Sequence, residues 1–125
     1  SLYEIYKARD YEGFKKLCRP ELVWIQNKGF PNGAVHHGAD AVVENVFKSF
    51  SKDWKKFRYD VKEMVGAGDA VLVMGTYSGI HKRTLRTFSA DAAHFYRMES
   101  GKIKLFRQFA DTKPIWDAAE GPAAT

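Results

Sequence analysis

Three side chains near the end of the chain, His94, Arg107 and Asp111, are of the types that carry out acid–base chemistry. An imidazole changes charge close to neutral pH, and a carboxylate held in an apolar pocket has a raised pKa. Such groups can take a proton from an acidic C–H and return it elsewhere. A guanidinium beside them can hold a carboxylate or enolate oxygen. We therefore predict His94 and Asp111 as catalytic residues and Arg107 as a ligand-binding residue.

A hairpin from His94 to Thr112 is predicted to bring these groups together, with a two-residue turn at Ser100-Gly101. Counting outward from this turn gives the pairs Glu99–Lys102, Met98–Ile103, Tyr96–Leu105, His94–Arg107 and Ala92–Phe109. Opposite residues share a face of the sheet, so His94 and Arg107 fall on one largely apolar face and Asp111 joins them. A three-residue loop would shift the pairing by one residue and mix the two faces. The two-residue turn is preferred because it separates apolar from polar residues better.

Aromatic side chains complete the predicted site. The predicted ligand-binding residues, with Arg107, are Trp24, Tyr77, Tyr96 and Phe109. Each aromatic residue has a structural alternative as ordinary core, and a tyrosine hydroxyl can also serve as an oxyanion donor. Asp111 has the alternative of capping the turn before Lys113, and His94 that of a core histidine bonded to backbone. Arg107 could also pair with Asp111, which would lower the pKa of that carboxyl.

Composition limits the classes of function. The 125 residues are 45% hydrophobic and 28% charged, which predicts one domain over residues 1–125. The formal net charge is +5, but lysine and arginine are spread along the chain, so we expect no nucleic-acid partner. The single cysteine, Cys18, indicates a reducing compartment and hence a cytoplasmic protein. No apolar run approaches the ~20 residues of a membrane span.

Metal and cofactor motifs are not recognisable. His36 and His37 are adjacent, and neighbouring residues on an extended chain point in opposite directions. No third ligand follows at a usual spacing, so we predict no metal site. No glycine-rich phosphate loop and no nucleophile motif appear either, so we predict no cofactor.

The order of secondary structure predicts an α+β fold. Two short helices, the second capped by Asp10, precede a strand at residues 21–26 and a glycine-rich loop. A long helix then begins at Asp40. Its predicted apolar stripe is Val43, Val46, Phe47, Phe50 and Trp54. Four antiparallel strands follow, and the second of them is apolar on both sides. Its Gly75 indicates a sharp bend or a close approach of the backbone to a ligand. Strands gathered after helices favour a bent sheet with helices packed on one face.

The chain as a whole resembles SnoaL-like proteins of the NTF2-like superfamily. The runs that carry this resemblance are Arg9-Asp10 with Phe14 and Leu17, Leu22-Val-Trp24, Gly38-Ala-Asp-Ala-Val, Gly68-Asp-Ala-Val-Leu-Val-Met-Gly-Thr-Tyr77, Ala93-His-Phe-Tyr, Gly101-Lys-Ile103 and Phe109-Ala-Asp-Thr112. The resemblance implies a cone of curved antiparallel or mixed sheet wrapped around N-terminal helices, with one cavity. It also implies a homodimer formed through the sheet.

Motifs of particular members narrow the activity that the resemblance implies. Ketosteroid isomerases use an Asp base after the first strand, where this chain has Gln26-Asn27, neither of which takes a proton. Limonene-epoxide-type hydrolases use an Asp-Arg-Asp set partly on a central strand, which here reads Met74-Gly-Thr-Tyr77. Both activities are disfavoured. SnoaL-type polyketide cyclases use an acidic residue near the end of the barrel, which Asp111 resembles in position, and His94 resembles a histidine frequent in the family.

These observations predict a small-molecule-binding protein whose ligand is hydrophobic or polycyclic. The predicted activity is that of an isomerase, cyclase or lyase that transfers protons without a cofactor. The alternative is a non-catalytic module of the same fold, which binds a hydrophobic ligand or serves dimerisation. A buried His94–Asp111 pair on an apolar pocket would favour the enzyme, and an exposed Asp111 would favour the module.

Overall fold

The computed structural model describes residues 2–31 and 33–120, with the side chains of all of these except residues 5–7. The helices are α1 (Leu2–Lys7), α2 (Tyr11–Lys16), α3 (Ala39–Val42), α4 (Lys48–Asp53) and α5 (Lys113–Ala119), and a π-helical turn (Val43–Phe47) joins α3 to α4. The strands are β1 (Cys18–Ile25), β2 (Val35–His37), β3 (Trp54–Ala67), β4 (Ala70–His81), β5 (Thr87–Glu99) and β6 (Lys102–Ala110).

The six strands form one curved, open sheet in the order β2-β1-β6-β5-β4-β3. All neighbouring strands are antiparallel except β1 and β6, which are parallel. The helices that precede β3 cover one face, which we term the inner face, and the opposite side is the outer face. The predicted α+β architecture is confirmed. None of the helices in residues 2–31 and 33–120 is long and apolar enough to cross a membrane.

The helical layer follows the apolar pattern of the sequence. The Asp10 carboxylate caps α2 by accepting a hydrogen bond from the Gly13 N–H at 2.9 Å. Phe47 is 6% exposed, and its ring meets those of Phe14 and Trp24 edge to face at 4.8 and 5.6 Å. The other predicted stripe residues are buried too, although Trp54 begins β3 instead of ending the helix.

The β5–β6 hairpin has the predicted two-residue turn but not the predicted register. Ser100 and Gly101 both have positive φ, 52° and 75°, as a type I′ turn requires. The first two pairs, Glu99–Lys102 and Met98–Ile103, are as predicted. Arg97 then pairs with Leu105, which leaves Lys104 as an extra residue in a β-bulge. The pairs beyond the bulge are Tyr96–Phe106, His94–Gln108 and Ala92–Ala110, so the predicted pairs Tyr96–Leu105, His94–Arg107 and Ala92–Phe109 are wrong.

The bulge reverses which face each later residue of β6 occupies, because side chains alternate with a period of two. Gln108 is therefore on the inner face opposite His94, where it is 1% exposed. Arg107 and Phe109 project from the outer face, and Asp111 follows the strand in an exposed position. The predicted common face for His94, Arg107 and Asp111 is wrong for this reason.

Strand β3 contains a similar shift, which lies beyond Tyr59 and leaves that residue on the inner face. Its alternation holds to Val61, and a bulge at Lys62 then moves Val65 to the outer face, where it is 49% exposed. Gly75 on β4 lies against Tyr59, and a Cβ added there would be 2.6 Å from Cζ of the tyrosine ring. The close approach at Gly75, predicted to be to a ligand, is instead to the Asp60 backbone carbonyl and the Tyr59 side chain of the neighbouring strand. The missing side chain at Gly75 leaves room for the Tyr59 ring over the sheet.

Candidate functional site

His94 occupies the centre of the inner face and is 4% exposed. Its Nε2 is 2.6 Å from the Tyr77 hydroxyl, and its Nδ1 is 2.8 Å from the Tyr3 hydroxyl. The Tyr59 ring stacks on the imidazole with a centroid distance of 4.2 Å and donates its own hydroxyl hydrogen to the Ala92 carbonyl at 2.8 Å. Both ring nitrogens of His94 are therefore bonded to phenolic hydroxyls.

Gln108 anchors one end of this network. The backbone N–H of Asn27 donates to Gln108 Oε1 at 3.0 Å, and this contact orients the amide. Gln108 Nε2 then donates to the Tyr77 hydroxyl oxygen at 2.8 Å. Because that oxygen already accepts a hydrogen bond, the Tyr77 hydroxyl hydrogen is available for His94 Nε2.

Tyr3 and Tyr96 form the other end. The Tyr3 hydroxyl is 2.8 Å from the Tyr96 hydroxyl as well as bonded to His94. If Tyr77 donates to Nε2, the proton of neutral His94 is on Nδ1 and is donated to Tyr3, which donates in turn to Tyr96. Reversing all three donors gives a second arrangement of the same charge. A proton taken in at one end and released at the other interconverts the two arrangements.

Burial keeps His94 and its neighbours Tyr3, Tyr59 and Tyr96 uncharged near neutral pH. Desolvation lowers the pKa of His94 to about 3 because an imidazolium ion would have little water around it. The same effect raises the pKa of Tyr59 to about 12 and moves those of Tyr3 and Tyr96 well above their ordinary value. The site can therefore move protons between neutral groups, but it is a poor place for a fixed charge.

One buried polar atom near His94 is left without a partner. The Trp24 indole N–H donates to Gln26 Oε1 at 2.9 Å, which fixes the orientation of the Gln26 amide. Gln26 is 3% exposed, and its Nε2 has no hydrogen-bond partner among the described residues. An unsatisfied buried donor costs about 1–3 kcal/mol, so this atom would gain from a ligand that brings an acceptor.

These residues surround a narrow cavity of about 50 Å³ on the inner face. Its walls are Leu2, Tyr3, Trp24, Gln26, Val46, Phe47, Phe50, Phe57, Arg58, Tyr59, Tyr77, His94, Tyr96 and Phe106. Arg58 is the one charged residue among these described walls, and its guanidinium pairs with Asp60 at the exposed mouth. Apart from Arg58 at its mouth, the cavity is therefore apolar except for neutral hydrogen-bonding groups.

The structure divides the predicted site residues between the two faces. His94, Trp24, Tyr77 and Tyr96 line the cavity. Arg107 and Phe109 lie together on the outer face, with the guanidinium 5.0 Å from the centre of the ring. The Asp111 carboxylate is exposed and accepts a hydrogen bond of 3.4 Å from the Lys113 backbone N–H at the start of α5. Asp111 thus contacts the turn before Lys113, as the sequence allowed, and lies outside the cavity, while the N-cap residue of α5 is Thr112.

The histidine pair next to β1 is not arranged as a metal site. His36 pairs with Trp24 and His37 with Val23, so the two imidazoles leave the strand on opposite sides. Within the described part of the chain, no three His, Cys, Asp or Glu side chains are grouped as metal ligands.

Sequence reasoning missed four members of the site, Tyr3, Gln26, Tyr59 and Gln108. Gln26 follows Trp24 by two residues on one strand face, and that spacing could have placed it in the cavity. Gln108 is next to the predicted Arg107, and only the bulge exchanges their faces. Tyr3 reaches the site from a separate helix, and no local pattern in the sequence marks it.

Comparison with known proteins agrees with this architecture. Residues 1–106 match the SnoaL-like domain family. A solved NTF2-like protein from Burkholderia thailandensis E264 is 31% identical, with a TM-score of 0.92 over 96% of this chain and 92% of that chain. No curated protein matches the sequence.

Two more distant solved structures share the fold. TerC, co-crystallised with polyporic acid, is 23% identical, with a TM-score of 0.83 over 96% of this chain and 93% of that chain. A protein of ketosteroid isomerase-like fold from Catenulispora acidiphila, in complex with trimethylamine, is 13% identical, with a TM-score of 0.81 over 93% and 86%. The predicted NTF2-like architecture is confirmed.

Proposed function

Because the chain belongs to the SnoaL-like domain family, we propose that it binds a small uncharged molecule in the inner-face cavity and acts on it as an isomerase, cyclase or lyase. His94 would transfer the proton, and no cofactor is invoked. Proteins of the same fold that hold small molecules, one with polyporic acid and one with trimethylamine, support ligand binding in this fold.

The observation that carries this proposal is the unpartnered Nε2 of Gln26 in the same cavity as His94. A ligand oxygen that accepts from Gln26 would satisfy the buried donor and would lie in the space that His94 also borders. Trp24, Tyr77 and Tyr96 would provide the aromatic walls. The lack of formal charge on these groups favours a ligand that is itself uncharged.

Proton transfer in this cavity would pass through hydroxyl groups. Both nitrogens of His94 are bonded to tyrosines, so a proton would leave or reach the imidazole through Tyr3 or Tyr77. The two equivalent donor arrangements let His94 accept on one nitrogen while it donates from the other. Arg107, Phe109 and Asp111 have no part in this proposal because none of them lines the cavity.

A second candidate function, a non-catalytic ligand-binding module, is favoured by a different observation. No carboxylate lines the described cavity, and the pKa of His94 is lowered to about 3, which makes the imidazole a weak base. A module of this kind would bind through the same Gln26 contact without turnover.

Ligand binding can be tested with a panel of small uncharged ketones, amides and phenols, together with mass spectrometry of molecules that co-purify with the protein. We expect Gln26→Leu and His94→Phe each to weaken binding by about ten-fold or more, the equivalent of one good hydrogen bond. Asp111→Asn should leave binding unchanged. Binding that is lost in Asp111→Asn but kept in the two cavity variants would overturn the proposal. Turnover of a bound molecule would separate the enzyme from the module.

The outer face supports a further part of the proposal, that the protein is a homodimer. One row of cross-strand neighbours crosses the entire sheet, namely Val35, Ile25, Arg107, Phe95, Leu72 and Val65. Val35, Leu72 and Val65 are 53%, 39% and 49% exposed. Apolar groups presented in such a row are typical of an interface.

We also propose a cytoplasmic location, on the ground of the lone buried thiol Cys18.

Sedimentation at tens of micromolar tests the assembly. We expect a species of twice the 14.2 kDa mass of the chain. Leu72→Glu, in the middle of the row, should shift the protein to monomer because it buries an unpaired carboxylate in the interface. Leu85→Glu, the same change at an exposed residue of the turn after β4, is the matched control and should leave the dimer intact. A monomeric wild-type protein would remove this part of the proposal.

A further inference from the structure

Tyr3 differs from the other members of the His94 network in where it comes from. Tyr77, His94, Tyr96 and Gln108 are held by strands of the sheet, whereas Tyr3 is on the six-residue helix α1. Its hydroxyl lies between His94 Nδ1 and the Tyr96 hydroxyl, 2.8 Å from each. A helix of this length has little stability of its own, so packing and these two hydrogen bonds hold it in place.

The Tyr3 ring occupies a position that a bound aromatic molecule would suit. It lies 5.8 Å from the His94 ring at an interplanar angle of 11°, and 5.6 Å from the Tyr59 ring. These are ordinary stacking distances between aromatic groups. The sheet thus offers an aromatic floor and two hydrogen-bonding groups to one phenol, and α1 supplies that phenol from within the chain.

Leu2 and Tyr3 also separate the cavity from a larger apolar space. A groove of about 250 Å³ lies on the other side of them, and Tyr96 borders both spaces. The remaining walls of the groove are Leu17, Met64, Val71, Val73, Met98, Gly101 and Ile103. Withdrawal of the Tyr3 side chain would join cavity and groove at Tyr96.

Size makes that withdrawal necessary for any ring-shaped ligand. The cavity has a volume of about 50 Å³. A buried apolar cavity that takes up benzene has a volume of roughly 150 Å³. A ligand with one aromatic ring therefore fits only if Tyr3 leaves, and the ligand must then replace the hydrogen bonds that Tyr3 made, since both partners stay buried.

We propose that Tyr3 is an internal stand-in for the ligand, and that the ligand is an uncharged phenol that displaces it. The phenolic hydroxyl takes the place of the Tyr3 hydroxyl between His94 Nδ1 and Tyr96, and the ring lies on Tyr59. Apolar substituents extend into the groove beyond Tyr96. This inference rests on the proposed ligand-binding function and adds to it the chemical class of the ligand and the route by which the ligand reaches His94.

The test uses p-cresol, which is the tyrosine side chain without its backbone, and toluene, which lacks only the hydroxyl. Binding to the full chain is measured by calorimetry for the wild type and for Tyr3→Ala. We expect p-cresol to bind Tyr3→Ala about ten-fold or more tightly than the wild type, because the internal competitor is gone. Toluene should bind Tyr3→Ala about ten-fold more weakly than p-cresol, because it offers no hydroxyl to His94 Nδ1 and Tyr96 in place of the one that Tyr3 provided.

Two further variants control for folding and for a general loosening of the helices. Tyr3→Phe keeps the ring in place but not its hydrogen bonds, so p-cresol should also bind it more tightly than the wild type. Tyr11→Ala makes the same truncation on α2, where the ring packs on Phe47 and not on His94, and it should bind p-cresol as the wild type does.

Displacement is observed directly by NMR in the wild type. Saturating p-cresol should abolish the through-space contacts between the ring protons of Tyr3 and His94. Persistence of those contacts in the saturated protein would overturn the inference, and so would failure of both Tyr3 variants to gain affinity, or absence of wild-type binding up to the solubility limit of p-cresol. Ketones or amides that still bind through Gln26 and His94 would leave the proposed function standing, whereas loss of all such binding would remove both.

Discussion

The two faces of the sheet differ in how far their polar side chains are buried and in what those side chains bond to. On the inner face, His94, Tyr77 and Gln108 are buried, His94 and Gln108 are both bonded to the Tyr77 hydroxyl, and burial keeps His94 uncharged near neutral pH. On the outer face, the guanidinium groups of Arg97 and Arg107 lie 5.0 Å over phenylalanine rings and remain exposed to water. The inner face therefore suits a small neutral ligand, and the outer face suits a second protein surface.

The difference shows how strongly one bulged residue, Lys104, can determine which side chains form a site. Arg107 and Gln108 are neighbours in the chain, and the bulge at Lys104 sends the amide inward and the guanidinium outward. A buried guanidinium beside His94 would need a carboxylate partner, whereas the amide is satisfied by Asn27 and Tyr77. The position opposite His94 therefore holds a neutral amide and not a charged guanidinium.

The largest effect on stability is expected from aromatic packing on the inner side. Phe47→Ala should lower the free energy of unfolding by about 3–5 kcal/mol, because the ring is buried between α2, the sheet and its own helix. Phe109→Ala on the outer face should cost less than about 1 kcal/mol at a concentration where the chain is monomeric. Urea unfolding of both variants measures the contrast, and equal losses would mean that the two faces are equally well packed.

A smaller effect is expected from exchanging polar contacts at the neighbouring positions of β6. Gln108→Leu should lower the free energy of unfolding by about 2–3 kcal/mol, because the Asn27 N–H loses its buried acceptor and Tyr77 loses a donor. Arg107→Leu should cost less than about 1 kcal/mol, since only an exposed cation–π contact is lost. Chemical denaturation of the pair tests the register directly, and the reverse order of costs would contradict the bulge.

The smallest expected change, counted per pH unit, is the pH dependence of stability that His94 contributes. Burial lowers its pKa from 6.5 to about 3, so between these values the unfolded chain binds a proton that the folded chain does not. The free energy of unfolding should therefore fall as the pH decreases from about 6.5 toward 3, by up to about 1.4 kcal/mol per pH unit from this group. Above pH 6.5, His94 is neutral in both the folded and the unfolded chain, so this group no longer lowers the free energy of unfolding.

Comparison of the wild type with His94→Phe isolates that contribution, because the acidic groups common to both proteins titrate in each. Denaturant titrations at several pH values should give a shallower slope for the variant between pH 6.5 and 3. Parallel slopes would show that the imidazole becomes protonated in the folded state.

Several parts of the fold could be predicted because their causes are local. The cap at Asp10, the buried stripe that includes Phe47, the type I′ turn at Ser100-Gly101 and the first two pairs of the hairpin follow from residue type and spacing. His94 was correctly placed beside an apolar space, although its catalytic role stays a proposal.

The tertiary structure alone decided the composition of the site. Lys104 carries no sequence signal for a bulge, yet the bulge removes Arg107 and Asp111 from the face of His94 and puts Gln108 there. Tyr3 meets His94 across 91 positions of the chain, a separation over which no periodicity operates. Local propensity and alternation are set by neighbours in sequence, whereas register after a bulge and contacts between distant elements are set by how the whole sheet and its helices pack. For this protein the sequence therefore determined the fold, and packing determined which polar groups share the cavity.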